Sequence, residues 1–250
     1  MKYICSNPQC GRQSIHMEID PKCISCGSVL IPEYKDGYRG IWMSPETVIS
    51  RFEGLIKKFG FNEIIKNNRF KHEREGWVSG VWALGITEIT GKENFIEIET
   101  IQETPDTHVF YFDIINGNNH RQVFDVEVVD WEEHTGELIE IIKNKSSKNY
   151  PQNFTLLIYA RHPGKEVNME EIYKEVQHMN IPFGQIWVLG SSDVDDYDIF
   201  QIYGVKNHIK FNLSKLREKY KNQIPFSKFL MRGKGTDIEN LGVIYLPLQD

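Results

Sequence analysis

Cysteine is scarce in this chain of 250 residues and confined to one end: Cys5, Cys10, Cys23 and Cys26 are the only four. Nothing beyond residue 26 can therefore act as a cysteine nucleophile. No apolar run approaches the length that a bilayer span needs. A glycine-rich phosphate cradle is missing, so nucleotide hydrolysis is not expected. No Ser/His/Asp arrangement stands out, and there is no internal repeat or low-complexity segment. Met1-Lys2-Tyr3-Ile4 runs straight into the first cysteine without the features of a signal peptide. A soluble, cytoplasmic protein without a membrane partner is the expectation. Hydrophobic content of 40% and aromatic content of 12% fit an ordered chain with one substantial core and a small appendage.

The four cysteines form a Cys-x4-Cys pair and a Cys-x2-Cys pair, and each pair ends in Cys-Gly (Cys10-Gly11, Cys26-Gly27). Glycine lets the backbone turn its amides toward the thiolates. Four thiolates in two short loops suit a closed, tetrahedral, structural zinc site; two disulfides are the alternative use of the same residues. The segment resembles a zinc ribbon, a module that binds nucleic acid and protein alike.

Charge is unevenly spread around a net −6. Glu93 to Glu140 holds thirteen acidic residues and one basic residue, Arg121. Lys206 to Lys234 holds nine Lys or Arg and one acidic residue, Glu218. A metal-binding centre beside a basic surface would give this asymmetry, and so would two solvated faces.

Hydrophobic periodicity divides the chain into a ribbon (1–31), a linker with a helical segment (32–69) and an α/β domain (70–250). Ser44-Pro45-Glu46 has the form of an N-cap, with helix to about Phe59. A second helix is expected over Phe70 to Thr90, with Trp77 and Trp82 on its buried side. Strands follow near Phe95–Thr100, His108–Ile115 and Arg121–Trp131, the last two joined at Asn116-Gly117-Asn118-Asn119. Then come a helix (Thr135–Ser147), a buried strand (Phe154–Ala160), a helix (Asn168–Met179), strands at Gln185–Leu189 and Ile199–Tyr203, and a basic helix (Leu213–Lys221). Gly242–Leu248 suggests a last strand. The order predicts a mixed central sheet flanked by helices.

Within that sheet the acids are the informative residues. Pro105-Asp106 opens one strand, and Asp125-Val126-Glu127 lies inside the next. Alternation puts Asp125 and Glu127 on one face, where like charges repel. A divalent cation with oxygen ligands would offset that repulsion. Further candidates are His108 and His120 beside the hairpin, Lys143, Lys145 and Lys148 around the next helix, the acidic run at Asp193, and the loop from Arg161 to Lys165.

The order helix, three strands, helix, strand, with Pro-Asp on the second strand and an acidic triplet on the third, resembles the PD-(D/E)XK nuclease superfamily over roughly residues 70–160. The resemblance implies a restriction-endonuclease-like fold and a metal-dependent nuclease acting on nucleic acid, most naturally DNA. It implies that Asp106 and Asp125 hold magnesium or manganese. Glu127 would stand in the lysine place and hold a second ion or assist water. Glu75 on the preceding helix, with Glu73 as the second choice, would complete the cluster. Read instead as Glu127-Val128-Val129, the triplet has an apolar residue in the lysine place. The ribbon and the basic helix, through Lys215, Arg217, Lys219 and Lys221, would dock phosphates. A catalytically silent scaffold that binds nucleic acid or protein is the alternative.

Overall fold

In the computed structural model, Ser44 begins the body as its sequence foretells: its Oγ accepts a hydrogen bond from Thr47 N at 3.1 Å, and Pro45 fills the first helical turn. The structure describes residues 2–5, 13–15, 30–32, 41–99, 104–115, 118–148, 150–151, 154–161, 167–221, 229–231 and 244–245. Three short strands come first, β1 (Lys2–Cys5), β2 (Gln13–Ile15) and β3 (Leu30–Pro32), in the antiparallel order β2-β1-β3. Cys10, Cys23 and Cys26 lie outside the described residues, and so does the four-cysteine site.

The body runs β4 (Ile41–Met43), α1 (Pro45–Phe59), α2 (Phe61–Lys66), a 3-10 turn (Asn68–Phe70), α3 (Lys71–Thr90), β5 (Phe95–Ile98), β6 (Thr107–Ile115) and β7 (Asn118–Trp131). It continues with α4 (Leu138–Ser146), β8 (Thr155–Ala160), α5 (Met169–Val176), β9 (Gln185–Ser191), β10 (Asp196–Tyr203), β11 (Asn207–Asn212), α6 (Leu213–Lys221), β12 (Phe229–Met231) and β13 (Ile244–Tyr245). One sheet takes in β4 to β13, in the order β11-β10-β9-β8-β7-β6-β5-β4-β12-β13. β5, β6 and β7 form an antiparallel meander; β7, β8 and β9 run parallel; β9, β10 and β11 are antiparallel again. The fold is thus mixed α/β, with helices on both faces of a mixed sheet.

Alternation assigns each face its core. Val126, Val128, Leu157, Trp187, Leu189 and Ile199 pack with α3 and α1 on one side. Leu156, Ile158, Ile186, Val188 and Ile202 pack with α4 and α5 on the other. α3 is buried almost all round, because α1 and α6 cover it from outside and the sheet from inside. Trp82, fully buried, meets Phe124 and Trp187 edge-on, so its ring is core.

Several elements depart from the sequence reading, β12 among them. Ile41–Met43, within the expected linker, is a strand, and Met43 shares the core of α3. The segment before α3 holds a short helix, α2, whose Ile64 is buried with Phe52, Leu55 and Phe70. Asn207–Asn212 is an edge strand. Its alternate residues are exposed, which leaves little apolar signal.

Candidate active site

At the start of α3, the spacing Lys71, Glu75 places two side chains one turn apart on one face. Lys71 Nζ lies 3.1 Å from Glu75 Oε1 and 3.6 Å from Asp106 Oδ1. Asp106 stands just before β6 and is held firmly. Its N–H donates to Val126 O at 3.0 Å, and its Oδ2 accepts from Val128 N at 2.8 Å. Glu127, one strand over on β7, turns to the α4 side. Its Oε1 accepts from Lys145 Nζ at 2.6 Å and from Tyr150 OH at 2.9 Å. Glu75, Asp106 and Glu127 are all buried. Glu75 Oε2 and Glu127 Oε2 are buried without a hydrogen-bond partner; His72 Nδ1 is 3.6 Å from the former.

The electrostatics show that these acids sense one another. Burial first, then the charges of Glu75 and Glu127, push the Asp106 carboxyl up to about 7, against the Val128 N–H and Lys71, which pull it down. Burial alone would lower Lys71, yet its pKa is raised, because Glu75, Asp106 and Glu127 all stabilise the ammonium. The Tyr150 hydroxyl is driven well up by burial and by Glu127, so it stays a hydrogen-bond donor.

The other expected residues lie elsewhere. Asp125 sits opposite His108 in the β6–β7 register and meets it, with His108 Nδ1 2.6 Å from Asp125 Oδ1. Its side chain is 40% exposed, and the second ring nitrogen of His108 is 3.8 Å from Glu99 Oε2. The same-face residues Asp125 and Glu127 thus have different surroundings: Glu127 is buried and its charge acts on Asp106, whereas Asp125 is half exposed and pairs with His108. Val129, two residues further along β7, is apolar, and Lys145 of α4 reaches Glu127. Glu73 is buried apart from the cluster, with neither carboxyl oxygen hydrogen-bonded.

On the basic helix, Arg217 grips Glu46 (2.6 and 2.9 Å) and Glu53 (2.6 Å) of α1, and Lys219 grips Glu88 of α3 (2.6 and 2.7 Å). Two of the four expected phosphate contacts are thus engaged in tying α6 to the body. The Lys221 side chain lies outside the described residues, as does that of His120. Asp195 and Asp196 accept hydrogen bonds from Ser214 and Asn212, so the acidic run closes a turn around the start of α6. Arg161 pairs with Asp130 and Glu132.

No family model matches the chain, and no curated protein or solved structure matches it. Among the described residues, no group of three or more His, Cys, Asp or Glu is arranged to hold a metal ion. The donor chemistry nevertheless suits a hard divalent cation: three buried carboxylates, two of them with an orphaned oxygen. Lys71 and Lys145 supply the positive charge that such a cluster requires. Lys71 and Tyr150 were not singled out from the sequence. The four-residue step from Lys71 to Glu75 was the available signal for the first; Tyr150 carried none.

Proposed function

We propose that the protein is a metal-dependent nuclease that hydrolyses phosphodiester bonds in DNA, with Glu75, Asp106, Glu127 and Lys145 as its working residues. The observation that carries this reading is the set of three buried acids from α3, the start of β6 and the middle of β7, the first two bridged by Lys71 and the third held by a lysine from α4. The order α3, β5-β6-β7, α4, β8 supports it, being that of the PD-(D/E)XK superfamily. Glu75, Asp106 and Glu127 would hold magnesium or manganese, which when bound activates water and neutralises phosphate charge. The backbone N–H of Val128 fixes the Asp106 carboxylate, and Tyr150 fixes that of Glu127. Lys145 offers an ammonium to the developing charge, from a helix instead of from the strand.

The silent-scaffold reading has one observation in its favour: Lys71 and Lys145 already neutralise the acids. Cleavage assays on DNA and RNA with magnesium or manganese decide between them. Asp106→Asn, Glu127→Gln and Lys145→Ala should each lower the rate at least about a hundredfold. Asp125→Asn should stay within about threefold of wild type, because removing a solvent-exposed partner of His108 leaves the reacting groups in place. Absence of cleavage with either metal, together with no divalent-ion binding by calorimetry, would leave the scaffold reading standing.

A further inference from the structure

We propose that Lys71 is a built-in counter-cation of this site, whose ammonium competes with a divalent ion for the carboxylate oxygens of Glu75 and Asp106. The inference rests on the reading of the site as a metal centre and goes beyond it by naming a side chain that shares the same carboxylates.

Helix energetics do not explain a lysine at this position. Lys71 is the first residue of α3, where the positive end of the helix dipole disfavours a cation. The order Lys then Glu at i, i+4 is also the weaker orientation of such a pair. What the position does give is reach. From it, Nζ bridges Glu75 on the same helix and Asp106 on a separate segment. The two acids are nearly inaccessible, at 9% and 5% side-chain exposure, whereas the Lys71 side chain is 53% exposed. The acids are thus the fixed members and the lysine the mobile one on the solvent side. Like charges this deeply buried are costly when ionised without a cation beside them. Lys71 supplies that cation without a metal and can swing out to water when an ion arrives. Lys145 differs: its side chain is 18% exposed, and its partner Glu127 is also held by Tyr150.

The test uses the full-length chain and manganese ion alone, titrated by calorimetry into wild type, Lys71→Met, Lys71→Gln, Lys71→Arg and Asp106→Asn. Removing a unit charge beside the ion should tighten manganese binding about tenfold in Lys71→Met and Lys71→Gln. Lys71→Arg should stay near wild type, and Asp106→Asn should bind at least about tenfold more weakly. Melting in chelator and in manganese gives an independent reading. Lys71→Met should melt below wild type in chelator and gain more from manganese, since the ion restores the missing charge. Equal manganese affinity in wild type, Lys71→Met and Lys71→Gln overturns the role of Lys71 while leaving the metal centre intact. Binding by none of them, or binding that ignores Asp106→Asn, overturns the metal reading of the site and this inference with it.

Discussion

A buried carboxyl group with no hydrogen-bond partner changes how a protein responds to pH, and Glu73 is such a group. Burial raises it from an ordinary 4.5 to about 8, its own N–H and Arg74 pulling down and Glu75 adding to the rise. A carboxyl raised in the fold favours its protonated form there. Its contribution to stability is complete below the ordinary value and is lost as pH climbs through about 8. Wild type should therefore lose up to a few kcal/mol between pH 5 and pH 9 from this residue. Glu73→Gln should match wild type near pH 5 and exceed it at pH 9, as read from urea unfolding midpoints; equal pH slopes would refute the assignment. At this scale the sequence was half legible. Pro105-Asp106 and the acidic triplet stood out because carboxylates are rare inside apolar runs, and Asp106 and Glu127 are buried. Alternation placed Asp125 and Glu127 on one face but could not tell which would be buried. A step of two residues along β7 separates a cross-strand partner, His108, from a lysine arriving on α4.

At the scale of elements, α3 decides how closely everything else can pack. A Cβ placed on Gly85 would lie 2.5 Å from Ile199 Cδ1 and 3.0 Å from Phe211 Cε1, so the sheet approaches the helix where glycine leaves room. Gly54, on α1, has nothing within 4 Å. Both glycines are helical, and alanine improves helix propensity by about 1 kcal/mol at either. Only at Gly85 does overpacking, worth about 1–3 kcal/mol, oppose that gain. Gly54→Ala should thus raise the melting temperature by about 2–4 °C, and Gly85→Ala should lower it by a similar amount. A rise in both would show that Ile199 repacks freely. The elements legible in advance were those with a strong local signature: the Ser44 cap of α1, the apolar runs of β8 and β9, and the hairpin that joins β6 to β7. The 3-residue β4 belongs to the sheet through pairing with β5 and β12, which no local pattern records, and the edge strand β11, paired with the adjacent β10, is too polar to show an apolar run.

Across the whole molecule, the uneven charge resolves into two different things. The acidic stretch supplies the buried site, and part of the basic stretch holds the body together. Arg217, half-buried between Glu46 and Glu53, has its pKa raised chiefly by the hydrogen bond to Glu46. Arg217→Ala should cost about 2 kcal/mol of stability, measurable by denaturant unfolding. An unchanged midpoint with weakened nucleic-acid affinity would return Arg217 to the docking role. For the N-terminal cysteines we expect one zinc per chain by elemental analysis, lost in Cys23→Ser while the body stays folded; zinc-free protein with paired cysteines would overturn this. Among the described residues, no helix is long and apolar enough to cross a membrane. The grip of Arg217 on Glu46 and Glu53 joins positions 171 and 164 residues apart. On the ribosome, α1 is therefore made long before the helix that pairs with its two glutamates and, through Leu213 and Leu216, completes its core. A nascent chain would carry α1 partly uncovered, with Glu46 and Glu53 lacking Arg217, for most of its synthesis. α1 thus waits for α6, and that interval is when a chaperone has something to hold.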